Sequence, residues 1–134
     1  MREHHIGIIT KNIRNEISVY SKLGYSAITD IIYDDIQHNY ILLLKNKSSF
    51  LVIELIEPAD VNSTVYKSAE GYHHICYEAD SEDEVRSVFK KRGVGVVFSR
   101  MIKAIALDNR MVCFAMLQNG TIIEFVINSK VGTV

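Results

Sequence analysis

The chain has 134 residues, 48% of them hydrophobic and 23% charged, with a formal net charge of -1. That length fits one domain, or two small halves sharing one core, and a near-neutral chain without basic runs argues against a nucleic-acid partner. No apolar run approaches the roughly 20 residues that span a bilayer, and no charged segment followed by an apolar stretch marks a secretory leader. The expected location is the cytoplasm, with Cys76 and Cys113, which form no CxxC pair, as buried free thiols.

In chain order, the first strand is expected over His5 to Thr10. Asn12 to Gly24 reads as a helix, because Ile13, Ile17, Tyr20 and Leu23 fall near helical spacing and Gly24 is a stop signal. Three apolar runs follow, around Tyr25 to Tyr33, Tyr40 to Leu44 and Phe50 to Ile56. Asp34-Asp35 and Asn46-Lys47-Ser48-Ser49 separate them as turns. The stretch Ala59 to Gly71 is a connector.

A second strand–helix unit starts at His73 to Ala79. Ser81 and Glu84 predict a capping box, and Val85, Val88 and Phe89 form the helix's apolar face up to Gly93. Strands are then expected over Val94 to Phe98, Met111 to Leu117 and Thr121 to Ile127, the last two joined by an Asn119-Gly120 hairpin turn. Arg100 to Arg110 reads as a loop. The order β-α-β-β-β thus occurs twice, over modules 4–58 and 72–128 of one domain, 1–134.

The repeat has a register. His5 and His74 lie 69 positions apart, and Glu54 and Glu124 lie 70 apart. HIGIIT and HICYEA are equivalent first strands; FLVIELIEP and TIIEFVIN are equivalent last strands. Each glutamate interrupts a run of strongly apolar residues, where an unpaired carboxylate costs several kcal/mol unless it is neutralised, paired or bound to a cation. A lone strand histidine is usually a surface or hydrogen-bonded residue. Two histidines and two glutamates at matched offsets point instead to a shared divalent ion held by His5, Glu54, His74 and Glu124.

Two imidazoles and two carboxylates suit Co, Ni, Zn, Mn or Fe rather than calcium. Four protein ligands leave open coordination positions, the mark of a catalytic site. By strand alternation His4 and His73 are expected on the opposite face from His5 and His74, and His38 beside a turn.

These residues resemble the vicinal oxygen chelate superfamily, which includes glyoxalase I, extradiol dioxygenases, bleomycin-resistance proteins and methylmalonyl-CoA epimerases. The resemblance runs from HHIGIIT to TIIEFVIN, and the strings IELIEP and GYHHICYEAD look most like the epimerases. It implies an α+β fold of two βαβββ modules forming a curled sheet around a metal cavity, and His5, Glu54, His74 and Glu124 match the family's metal positions. The implied activity is that of a metal-dependent epimerase or isomerase, deprotonating the α-carbon of an acyl thioester through a metal-stabilised enolate. Glu124 matches the family's ligand and base, and Asp34 or Asp35, with Asp35 preferred, would be the second proton carrier.

Arg100, Lys103 and Arg110 are candidates to meet a phosphate or carboxylate of the acyl carrier, which would be CoA, a carrier protein or glutathione. The chain departs from the epimerases in lacking their histidine-proline-lysine stretch; Met116-Leu117-Gln118-Asn119-Gly120 stands there instead. Two alternatives share the fold: a glyoxalase I-type lactoylglutathione lyase, and a metal-free small-molecule binding or resistance protein. The family pattern also implies a homodimer.

Overall fold

The computed structural model describes residues 1–130, so the last four residues of the expected domain lie outside the described residues. Contacts divide the chain into two compact units: His5–His73, and Met1–His4 with His74 onward. The architecture is α+β, with ten strands and two α-helices among the described residues.

In the first unit, β1 (Arg2–Ile9) leads to α1 (Ile13–Ser21), two short strands β2 (Tyr25–Ala27) and β3 (Ile32–Asp34), then β4 (Asn39–Asn46) and β5 (Val52–Pro58). The strand order is β2-β4-β5-β1, with β3 also paired to β4. The parallel β1–β5 pair needs a crossover, and α1 begins it. Asn12 caps α1 by accepting the Asn15 N–H, and the Ile13 N–H donates to a Glu57 carboxylate oxygen at 2.8 Å. Leu42, Leu44, Ile53 and Leu55 bury one face of this sheet against Ile13. Full burial of each such side chain contributes about 1.5–3 kcal/mol. Leu23, expected on the helix's apolar face, lies beyond the helix and is 63% exposed.

The second unit repeats the plan: β6 (Gly71–Ala79), α2 (Glu82–Phe89), β7 (Gly95–Val97), β8 (Ile102–Ala104), β9 (Arg110–Leu117) and β10 (Ile122–Lys130). Its order is β6-β10-β9-β7, with β8 also on β9 and β10 parallel to β6. Ser81 caps α2 by accepting the Glu84 N–H at 3.1 Å. Val85 is fully buried, and Phe89 meets Phe125 edge-on with ring centroids 5.7 Å apart. At the Asn119-Gly120 turn the Gly120 N–H donates to Leu117 O, and Gly120 adopts φ +91°, which favours glycine.

Two expectations are corrected. The run Tyr25 to Tyr33 is not one strand. It breaks between β2 and β3, where the Leu43 N–H donates to the Thr29 hydroxyl at 3.1 Å instead of to a strand carbonyl. The expected loop Arg100 to Arg110 contains β8 and a 3-10 turn at Ile105–Leu107. The break before β8 has the same cause as the first: the Phe114 N–H donates to the Ser99 hydroxyl at 2.8 Å. Thr29 and Ser99 lie 70 positions apart, so the repeat extends to its interruptions. Among the described residues, no helix is long and apolar enough to cross a membrane.

Candidate functional site

Each unit holds one buried imidazole–carboxylate contact. In the first unit β1 supplies His5 and the adjacent β5 supplies Glu54. Their register pairs Gly7 with Glu54, so His5, two residues before Gly7, shares Glu54's face. His5 Nε2 stands 3.5 Å from Glu54 Oε1, and the side chains are 0% and 6% exposed. The antiparallel β4–β5 register sets Leu43 beside Glu54 on the same face.

In the second unit β6 supplies His74 and β10 supplies Glu124, which is in register with Cys76. His74 Nε2 lies 3.1 Å from Glu124 Oε1, with 2% and 4% of the side chains exposed. Phe114, opposite Glu124 on β9, sets its ring edge-on to the His74 imidazole at 5.7 Å and 86°. The strand pairings explain why spacing alone could find the ligand candidates: a histidine on the first strand and a glutamate on the last become lateral neighbours when those strands run parallel. Leu43 and Phe114 had no signal of their own in the sequence; only the hairpin registers place them on these faces.

His4 and His73 are half-buried. His4 Nε2 accepts a hydrogen bond from Arg110 Nη2 at 3.1 Å, and Arg110 Nε also donates to Leu107 O at 3.2 Å. Arg110 alternates with Val112 and Phe114 along β9, on Glu124's face. Lys103 is exposed and pairs with Met111, which packs on the opposite, α2-side face. Arg100 is exposed.

Asp34 and Asp35 part company in the β3–β4 turn. Asp35 is exposed. Asp34 is 1% exposed, and its Oδ1 accepts the Ile36 and Gln37 N–H groups at 2.9 and 3.0 Å. Asp34 therefore holds the turn's backbone. Both cysteines are buried free thiols, and burial pushes the Cys113 thiol up to about 11.

A duplicated α+β unit, each copy carrying a buried histidine–glutamate contact between its first and last strands, defines the class of protein. The family model of the Glyoxalase/Bleomycin resistance protein/Dioxygenase superfamily matches residues 4–114, and the chain belongs to that superfamily.

Solved structures share the fold. A hypothetical protein from Bacillus halodurans superimposes with a TM-score of 0.81 at 23% identity, over 99% of this chain and 98% of its own. Methylmalonyl-CoA epimerase from Mycobacterium tuberculosis gives a TM-score of 0.79 at 23% identity, over 96% and 88%. A Streptomyces coelicolor methylmalonyl-CoA epimerase variant in complex with 2-nitronate-propionyl-CoA gives 0.75 at 19% identity, over 96% and 98%. A search of curated protein sequences finds no match.

Proposed function

We propose that the protein is a divalent-metal-dependent epimerase that moves the α-proton of an acyl thioester, with His5, Glu54, His74 and Glu124 as ligands of one ion. The observation that carries this reading is the duplicated, solvent-sealed histidine–glutamate contact. The donor set fits a first-row ion such as Co, Ni, Zn, Mn or Fe: two neutral imidazoles supply nitrogen, and two carboxylates offset the ion's charge. When bound, the ion supplies Lewis acidity toward a thioester carbonyl oxygen.

The chain's own residues do the rest. Glu124 takes the α-proton, and Asp35 is the proposed carrier that returns one from the other side. Arg110, on the face of Glu124, meets the anionic part of the acyl carrier, with the exposed Arg100 as a second cation, whereas Lys103 stands on the opposite face and takes no part. Epimerase neighbours, one of them bound to an acyl-CoA analogue, support the substrate class. The reading includes a homodimer in the cytoplasm.

A second reading, a glyoxalase I-type lyase, is favoured by one observation. Glu54 is a carboxylate beside His5 as Glu124 is beside His74, so each unit carries a potential base, whereas Asp35 sits in solvent. Proton exchange in deuterated water decides between them. Metal-reconstituted protein that incorporates deuterium at the α-carbon of methylmalonyl-CoA is an epimerase. No uptake, together with turnover of a glutathione hemithioacetal, establishes the lyase instead.

A further inference from the structure

An apolar shelf lies open on the second unit's sheet. Val96 is 58% exposed, Phe98 54% and Met116 40%. Single exposed apolar side chains are ordinary on a protein surface, but these adjoin one another. Val96 pairs with Met116 across β7 and β9, and Met116 pairs with Ile122 across β9 and β10. Their sequence neighbours Val97, Ala115 and Ile123 pack on the α2 side, so strand alternation turns Val96, Met116 and Ile122 to the face that carries Glu124. Phe98 joins them through the Phe114 ring, with centroids 6.3 Å apart and planes tilted by 30°. A contiguous exposed apolar patch marks a binding surface.

The first unit has no such shelf at the equivalent place. The Ile28 N–H donates to Leu43 O at 2.9 Å as the Phe98 N–H donates to Phe114 O at 3.0 Å, so Ile28 is the counterpart of Phe98. Ser26 and Lys45, a register pair, are the counterparts of Val96 and Met116, and both are exposed. The two units share a plan, yet this edge is polar in one and apolar in the other. The fold itself therefore does not require the shelf.

The shelf runs into the buried contact. Phe114 is edge-on to His74 and in register with Glu124. Along β9, Arg110 stands about 14 Å from Phe114 in one direction and Met116 about 7 Å in the other. That strand thus sets a cation, the histidine–glutamate contact and an apolar surface in one line. Val96, Phe98, Met116 and Ile122 carry no group that can neutralise a carboxylate. We infer that the shelf receives the acyl group of the substrate, and that this group is uncharged and apolar, branched or aromatic, rather than carboxylated. The inference rests on the acyl-thioester reading above and names its substrate class. Phe98 and Val96 act by apolar contact; they are specificity residues and take no part in proton transfer.

The test is α-proton exchange in deuterated water by the metal-reconstituted full chain, with 2-phenylpropionyl-CoA and methylmalonyl-CoA, which both carry one α-proton and an α-methyl group. The native chain is expected to show a KM at least about tenfold lower for the phenyl thioester. Phe98→Ala should raise that KM about tenfold and leave the KM for methylmalonyl-CoA within about twofold, with kcat little changed. Val96→Ser should act in the same direction by about threefold. Ile28→Ala, at the equivalent exposed place in the first unit, should leave both KM values unchanged. Equal native KM values overturn the inference. So do shelf substitutions that move both thioesters alike. If Phe98→Ala and Val96→Ser leave KM alone and instead change the mass measured by light scattering, a second copy of the chain covers the shelf, and the inference is overturned. Silence of the native chain toward both thioesters has a different signature: it overturns the epimerase reading itself, and the acyl shelf with it.

Discussion

His74 Nε2 and Glu124 Oε1 stand 3.1 Å apart, on parallel neighbouring strands and almost sealed from solvent. His5 and Glu54 repeat the contact at 3.5 Å in the other unit. On the proposed reading, metal-reconstituted protein contains about one divalent ion per chain, and His74→Ala combined with Glu124→Ala reduces that to near zero by elemental analysis. Retention of the ion by the double variant would remove these residues from the ligand set.

Ion binding should also show as stability. An ion held only by the folded state, at 100 times its Kd, raises the unfolding free energy by about 2.7 kcal/mol. For a chain of this size that is a rise of roughly 10 °C in Tm. A chelator should reverse it in native protein and have no effect on the double variant. Differential scanning calorimetry with and without Co or Zn is the measurement.

The two aspartates of the β3–β4 turn should separate cleanly. Asp34→Ala removes an acceptor from two backbone N–H groups at a 1% exposed site and should cost about 1–3 kcal/mol. Asp35→Asn, in solvent, should change stability by less than about 0.5 kcal/mol. If Asp35 returns the proton, Asp35→Asn slows epimerisation about 100-fold while proton exchange from one face persists. Unchanged epimerisation would pass the role to Glu54.

Arg110 and Lys103 lie on opposite faces of the second unit's sheet, so their substitutions should differ. Arg110→Ala should raise KM for the anionic thioester about tenfold with a smaller effect on kcat. It also removes the bonds to His4 and Leu107 O, so Tm should be recorded alongside. Lys103→Ala should leave both constants within about twofold. Steady-state kinetics on the two purified variants settles the comparison.

Cys113 gives a pH dependence with a defined sign. Burial, the largest cause, holds its thiol at about 11 against an ordinary 9.0, with nearby Arg86 pulling the other way. Below pH 9 the folded and unfolded chains both keep the proton, and the group adds no slope. Between about pH 9 and 11 the unfolded chain releases it while the folded chain retains it, so this group's contribution to stability falls as pH rises. Cys113→Ala should flatten that part of a Tm-versus-pH curve. At neutral pH the native thiol should resist alkylation, because the thiolate is the reactive form.

Much of this was legible without a structure. Apolar runs bounded by turn residues marked the long strands, helical spacing after Asn12 and the Ser81 cap marked the helices, and Asn119-Gly120 marked a hairpin. The two glutamates stood out because a carboxylate inside an apolar run is costly, and their 70-residue offset tied them to the histidine pair. Such signals are local, or they repeat, and spacing along the chain is enough to carry them.

Tertiary structure alone decided the rest. Thr29 and Ser99 interrupt the edge strands through hydrogen bonds to Leu43 and Phe114, 14 and 15 residues away. No window of local periodicity contains both partners. Asp34 and Asp35 are chemically identical neighbours, and only the path of the turn buries one and leaves the other in water. Val65 looked like connector until the strand register brought Ile9 beside Ile56 and gave it a surface to cover. The sequence by itself determined which side chains could hold an ion and which element carries each. Long-range pairing determined what lies next to them, because burial depends on residues that only folding brings together.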